Sequence, residues 1–334
     1  MRMKRRYILL VALFPLFLVN KAKAQDFHLS QYDAASLYLN PSLVGQFDGK
    51  YRIHGHYRTQ WGAVSSKPFN TAAISFDMPY KKFAFGAQVL NYRAGAGNYD
   101  ALGITLNGGY SFTFDKKQVH KLSLGIQLGL IQKSVNFDNL FFENQYTTTN
   151  GGTFDQSLPT GETFGSSNFW VPDLNAGFVY YYGEDQKRIN PFIGASAFHL
   201  TQPNESFYGV ANKLPIRYMV HGGVKYNLSE RIQLLPKVIL MRQENAQELN
   251  YSLMLHYHLK SSGAIILFSP TYRSSDAFIV EAGVKYGSYT VRMGYDFNTS
   301  TLNNFSDGKG GFEISLTYIP KVFKPNPVKN CPRI

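Results

Sequence analysis

Two histidine pairs are the residues of this chain best spaced for chemistry. His54 and His56 are two apart, and so are His256 and His258. On a strand that spacing puts both rings of a pair on one face. Two imidazoles make half of a metal site, which needs three or four converging ligands. Arg52, Arg58 and Gln60 share the face of His54 and His56, so the simpler reading is a polar face, and no metal or cofactor is expected. Nucleophilic catalysis has no better footing. There is no G-x-S-x-G, no Walker loop, no H-E-x-x-H and no C-x-x-C. The G-x-G within "RAGAGNYDALG" (93–103) is followed by no helix-forming run, so it is no nucleotide fingerprint. Membrane-barrel hydrolases use a rim Ser-His pair, but no local signature singles one out here. No catalytic residue is expected.

The elements that would hold these side chains are long strands. "LGITLNGGYSFTF" (102–114) sets Leu102, Ile104, Leu106, Tyr110, Phe112 and Phe114 against Gly103, Thr105, Asn107, Ser111 and Thr113. "KLSLGIQLGL" (121–130) and "GFEISLTYI" (311–319) alternate in the same way. Alternation over ten residues matches a transmembrane β-strand of about 9–11 residues. Strands of a soluble sandwich average about 5–6. Fourteen such stretches are expected: 51–61, 71–78, 83–93, 100–115, 120–133, 171–183, 190–200, 216–228, 231–241, 249–260, 263–272, 276–287, 289–297 and 310–319. Their connections alternate between short turns and longer loops, the longest spanning 134–170. That asymmetry is the pattern of short periplasmic turns and long extracellular loops.

Composition agrees. Aromatics make up 15% and charged residues 17% of the 334 residues, with 29 Gly. No apolar run of about 18 residues follows the start, so no membrane helix is expected. Residues 1–24 read as a cleaved signal peptide: a basic start (Arg2, Lys4, Arg5, Arg6), the apolar run "YILLVALFPLFLV" and a small-residue "AKA" site before Gln25. Its loss lowers the net charge from +12 to +6. No cluster of five or more Lys/Arg follows, which gives no case for nucleic acid. One Cys, Cys331, excludes an internal disulfide framework.

The fold expected is all-β: an antiparallel outer-membrane β-barrel of about 14 strands over 51–319, with a short N-terminal plug (25–50) and a periplasmic tail (320–334). The stretch "QYDAASLYLNPSLVG" (31–45) has no period-2 pattern, and Asn40-Pro41 breaks it. With both chain ends periplasmic, it starts on that side and fills the inner mouth, Leu37, Leu39 and Leu43 packing on the wall and Asn40-Pro41 fixing a turn. Arg52, His54, His56, Arg58, His221, Lys225, Lys237 and Arg292 fall on the polar, lumen-facing side, opposed by Asp77, Glu281, Asp296 and Glu313. Trp61 and Trp170 lie at the outer rim, as aromatic girdles require. "AFHLTQPNESF" (197–207) leaves the membrane there, so His199, Thr201, Gln202 and Asn204 join them as candidate partner-binding residues.

Six stretches in order, "DFHLSQYDAASLYLNPSLVG" (26–45), "YRTQWGAV" (57–64), "LSLGIQLGLIQ" (122–132), "VPDLNAGFVYYY" (171–182), "AFHLTQPNESF" (197–207) and "CPRI" (331–334), resemble the PorP/SprF proteins of the type IX secretion system and gliding apparatus of Bacteroidetes. The resemblance implies a non-enzymatic barrel in the outer membrane of a Gram-negative cell, with lipid around it. Its partner would be a large secreted surface protein such as a gliding adhesin, whose export it assists or which it anchors by the C-terminal domain; periplasmic parts of the apparatus are further partners. "NPS" (40–42) stands where the family has "NPA", and loop 134–170 matches no family pattern. The alternative is a transporter of small hydrophobic molecules similar to FadL-type barrels, which also carry an N-terminal plug with an Asn-Pro element. That reading requires an apolar pocket inside the barrel, which the polar lumen face opposes.

Overall fold

The structure, a computed structural model, describes residues 26–65, 67–116, 119–183 and 187–321. The expected signal peptide (1–24), and the expected tail from residue 322 with Cys331, lie outside the described residues.

The strands begin with β1 (Arg52–Gln60), β2 (Phe69–Tyr80), β3 (Phe83–Ala94), β4 (Tyr99–Thr113) and β5 (His120–Ser134). A small hairpin, β6 (Tyr146–Thr147) and β7 (Thr153–Phe154), sits inside the longest loop. Then follow β8 (Asn168–Tyr182), β9 (Ile189–Phe198), β10 (Arg217–Asn227), β11 (Ile232–Gln243) and β12 (Ala246–His258). Last come β13 (Ile265–Arg273), β14 (Ala277–Tyr286), β15 (Tyr289–Asn298) and β16 (Lys309–Tyr318). All but β6 and β7 form one closed barrel of fourteen strands, each antiparallel to its neighbours in chain order. β16 closes on β1, from Ile53↔Tyr318 to Gln60↔Gly311.

The pattern of burial is that of a soluble protein turned inside out. On β5, Leu128 is 60% exposed while its neighbour Gln127 is 2% exposed. Leu124, Ile126 and Leu130 are exposed with Leu128, and Ser123 is buried with Gln127. An apolar outer face with a polar interior is what a strand needs when lipid, not water, surrounds it. Closure leaves no unpaired edge among the fourteen, so the ladders satisfy the backbone groups that hydrocarbon would leave stranded.

One end of the ring, the turn end, carries connections of two to six residues and both ends of the barrel chain. The other, the loop end, carries the 135–167 and 199–216 loops. One expected loop is absent from it. The 242–248 stretch is a two-residue turn at Glu244-Asn245, with Gln243 paired to Ala246 and Glu244 at φ +51°. Its flanking residues, Arg242, Gln243, Gln247 and Glu248, are polar on both faces, so this end of the hairpin carries no period-2 signal.

Residues 26–47 run down the inside of the ring. They do not start at the inner mouth. Asp26 lies at the loop end against Arg217 and Gln243. Phe47 lies at the turn end under the Arg52 guanidinium, 4.8 Å from the ring centroid. Between them come one helical turn, α1 (Ser36–Leu39), and a 3-10 turn at Pro41–Leu43.

Candidate functional site

The inner segment is fixed to the wall at three levels. In the middle, Asn40 is fully buried. Its Oδ1 accepts from the Ser42 backbone N–H (2.9 Å) and hydroxyl (2.7 Å), capping the 3-10 turn that Pro41 opens. Its Nδ2 donates to the carbonyls of Phe178 on β8 (3.0 Å) and Ala195 on β9 (3.2 Å), and lies 3.1 Å from His221 Nε2 on β10. Two wall glycines make room for this contact. A Cβ on Gly125 would fall 2.3 Å from Pro41 C and Ser42 N, and one on Gly177 would fall 2.2 Å from Asn40 Oδ1.

Toward the turn end, Arg52 grips Asp77 with two bonds of 2.8 Å. The same pair holds the segment: Arg52 reaches Ser36 Oγ and the Leu43 carbonyl, and Asp77 accepts from Gly45 N (2.7 Å). Nearer the loop end, Glu313 accepts from the backbone N–H groups of Ser30 (2.6 Å) and Gln31 (2.8 Å) and pairs with Arg58. His56 Nε2 lies 3.2 Å from the same carboxylate. On the turn-end side of these contacts, Asp33 accepts from Arg292 (2.8 Å) and Lys237. Hence Arg52, His56 and Arg58 form part of the segment's clamp, and His54 sits on the same face, its Nδ1 2.9 Å from Thr317 Oγ1. Among the described residues no group of three or more His, Cys, Asp or Glu could hold a metal ion.

At the loop end Asp26 accepts from His199 Nε2 (2.8 Å) and Arg217 (3.2 Å), while His199 Nδ1 donates to Asp173 (3.0 Å). Burial alone would raise the Asp26 carboxyl, but the His199 and Arg217 charges outweigh it and hold it well below the usual carboxylate range. Burial alone would lower His199, but the two carboxylates raise it to about 9. His199 is therefore a buried cation with its backbone in the left-handed region, φ +61°.

Above this latch a cavity of about 760 Å³ opens at the loop end. Its walls include Leu90, Tyr92, Tyr99, Ile131, Phe169 and Phe207. The rings form a contact series: Phe27 stacks on Tyr38 (5.2 Å) and Tyr92 (5.1 Å), Tyr92 meets Tyr99 (6.3 Å), and Tyr99 meets Phe207 (6.4 Å). On its border Lys133 pairs with Glu205. Two buried donors that line it, Gln88 Nε2 and Arg217 Nε, have no hydrogen-bond partner. The volume is that of a small-molecule site. Phe27 also walls a second recess of about 400 Å³, beside Trp61.

The remaining rim residues are dispersed. Trp61 packs edge-on against Phe69 (4.7 Å). Trp170 is half exposed on the outer face of β8. Thr201 and Gln202 are exposed, and Thr201 donates to the Pro172 carbonyl (3.0 Å). Asn204 bridges to Lys213 and accepts from Asn212 N (2.6 Å). His199 alone of the group is buried and lines the cavity. Leu37, Leu39 and Leu43 are buried in the inner segment. The aromatic walls were missed, although a signal was present: Leu90, Tyr92, Ile131 and Phe169 break the polar-inside rule on the inward faces of β3, β5 and β8.

Solved structures of similar shape are membrane channels and transporters. The Ralstonia pickettii toluene transporter TbuX matches with a TM-score of 0.53 and 9% identity, over 86% of this chain and 93% of that one. The P. putida toluene transporter TodX matches with a TM-score of 0.50 and 9% identity, over 87% and 94%. At such identity the likeness shows the fold alone. No curated protein matches the chain. The family model for the type IX secretion system membrane protein PorP/SprF matches residues 21–318. With the closed fourteen-stranded ring, this makes the chain an outer-membrane β-barrel that belongs to the PorP/SprF family of the type IX secretion system.

Proposed function

We propose that this barrel serves type IX secretion without enzymatic activity, by binding the C-terminal domain of a large secreted protein, such as a gliding adhesin, at its loop end. There it assists export or anchors the substrate at the cell surface. The observation that carries the reading is the filled lumen together with a built loop platform. With residues 26–47 clamped across the interior, a folded domain has no way through, so binding falls to the rim. The 135–167 and 199–216 loops are joined there: Gly165 N donates to the Phe207 carbonyl (2.7 Å), and Phe164 stacks on Phe137 (3.7 Å) and touches Tyr208 (5.5 Å). Phe141, Tyr146, Phe154 and Val210 are left exposed on this platform, and aromatic anchors of this kind dominate protein interfaces. Periplasmic components of the apparatus would meet the turn end and the tail. The test is purification from native membranes, with the wild-type chain and a variant whose 141–158 segment is replaced by a Gly/Ser linker. A large surface protein should accompany the wild type and be lost from the variant; its absence from both removes the reading.

A second reading, transport of small hydrophobic molecules, is favoured by the loop-end cavity and its aromatic walls. The similar shape of two toluene transporters adds to it. Toluene entry into proteoliposomes carrying the barrel would support it, and entry no faster than into empty liposomes would reject it.

A further inference from the structure

The two rims of the barrel carry opposite charge. The connections of the turn end, with residues 48–51 and 319–321, hold ten Lys or Arg against five Asp or Glu. Those of the loop end hold eight Asp or Glu against Lys67 and Lys213. The described acids of the turn end are already engaged. Asp115 accepts from the backbone N–H groups of Val119 (2.9 Å) and His120 (2.9 Å), Glu230 pairs with Lys260 (2.9 Å), and Asp48 has a partner of its own. Many of the cations are not. Lys50, Lys81, Lys82, Lys116 and Arg188 are exposed and enter no ion pair among the described residues. They come from the approach to β1 and from the β2–β3, β4–β5 and β8–β9 turns, so the free charge is spread along the rim and does not follow one strand.

Their neighbours fix the depth at which these charges sit. Tyr80, Phe83, Phe114 and Ile189 are exposed on the outer face of the ring, each within two residues of one of the free cations. Lys81 Nζ lies 5.6 Å from the centroid of the Tyr80 ring. Exposed aromatics at strand ends mark the level where hydrocarbon gives way to headgroups. A Lys or Arg beside them can lay its stem along apolar surface and hold its charge in the headgroup layer. A cation at that level is drawn to anionic lipid. Placement beside lipid-facing side chains favours headgroups over a protein docked on the end face.

We propose that the turn-end rim binds anionic phospholipid of the periplasmic leaflet. Headgroups of net negative charge are held by Lys81, Lys82, Lys116 and Arg188, with their acyl chains against Tyr80, Phe83, Phe114 and Ile189. The acidic loop end does not share this preference, and the lipid sites are independent of substrate docking there.

The test uses the full-length barrel in phosphatidylcholine bilayers with a trace of spin-labelled lipid, and reads the fraction of label immobilised at the barrel surface. Spin-labelled phosphatidylglycerol should be held about threefold more strongly than spin-labelled phosphatidylcholine: one cation per headgroup gives about fivefold in the selective leaflet, and the other leaflet gives none. The preference should shrink as salt is added. Lys81→Gln with Lys82→Gln and Arg188→Gln should bring it toward parity, while Lys67→Gln with Lys213→Gln at the loop end should leave it unchanged. Folding of each variant is checked by its heat-shifted gel migration; should the triple variant misfold, Lys50→Gln with Lys116→Gln takes its place. Phosphatidylglycerol held no more strongly than phosphatidylcholine overturns the proposal. So does a preference untouched by salt or by the turn-end substitutions, or one lost equally in the loop-end pair.

Discussion

Asn40→Ala tests whether the inner segment is a docked gate. The side chain is buried at the centre of the barrel, where it donates to the Phe178 and Ala195 carbonyls and accepts twice from Ser42. A net intramolecular hydrogen bond is worth about 1 kcal/mol, and a buried partner left unsatisfied costs about 1–3. The two wall carbonyls already serve the β8–β9 ladder region, so their loss is mild; the Ser42 N–H and hydroxyl lose their shared acceptor. The sum is about 3 kcal/mol against docking, roughly a 100-fold rise in the undocked population. The barrel's own ladders are untouched, so the ring should stay folded while the segment leaves it more often. Single-channel recording in planar bilayers reads this directly. The wild type should be closed, Asn40→Ala should show brief openings, and deletion of 26–45 should be open throughout. A deletion variant that folds, shown by heat-shifted migration, yet conducts no more than the wild type would refute the reasoning, because the segment would then not be what closes the lumen.

The other expectations are more local. Gly125→Ala puts a methyl 2.3 Å from the Pro41–Ser42 peptide and should displace the segment at an overpacking cost of about 1–3 kcal/mol, read as openings like those of Asn40→Ala; Gly55→Ala, with nothing within 4 Å of its Cβ, is the silent control. Asp77→Asn leaves Arg52 a buried charge without its carboxylate and should cost about 3–5 kcal/mol in a urea-unfolding series, while Arg52→Met with Asp77→Leu should cost less than that. The loop-end latch should depend on pH in two directions. His199, raised from 6.5 to about 9, gives stability that is full below 6.5 and lost as pH rises through 9, and Asp26, lowered from 3.8, gives stability that is full above 3.8 and lost in acid. Hydrogen-exchange protection factors of residues 27–31, corrected for the intrinsic pH dependence of exchange, should therefore be highest between these limits, and His199→Gln should abolish the alkaline arm; wild-type protection that stays flat from pH 6.5 to 9.5 contradicts the latch.

Much of the barrel was legible because lipid imposes a strict rule. Leu124, Ile126, Leu128 and Leu130 face out, and Ser123, Gly125, Gln127 and Gly129 face in, a period that survives any choice of partner strand. The rule weakens where the strand leaves hydrocarbon. Gln243 and Glu248 could be polar for water or for the lumen, so the β11–β12 turn read as a loop. Tyr92 and Phe169 could be girdle aromatics or inward ones, and only the closed register shows that they meet in one cavity. The path of residues 26–47 was illegible for another reason: it depends on long-range charge pairs, and no local pattern states which carboxylate meets which cation.

Those pairs also explain the lumen's excess of cations. His199, Arg217, Lys237 and Arg292 are wall residues that pair with carboxylates of the inner segment, Asp26 for the first two and Asp33 for the others. Asp173 and Glu281 give His199 and Arg292 a second carboxylate on the wall, so the segment supplies part of the match and the wall the rest. A barrel emptied of residues 26–47 would hold four cations stripped of their segment partners. Asp26→Asn with Asp33→Asn should therefore leave a segment of nearly the same shape that no longer stays docked. If that double variant conducts no more than the wild type, the hydrogen bonds at Asn40, Glu313 and Asp77 hold the segment without the charges, and the match of signs is incidental.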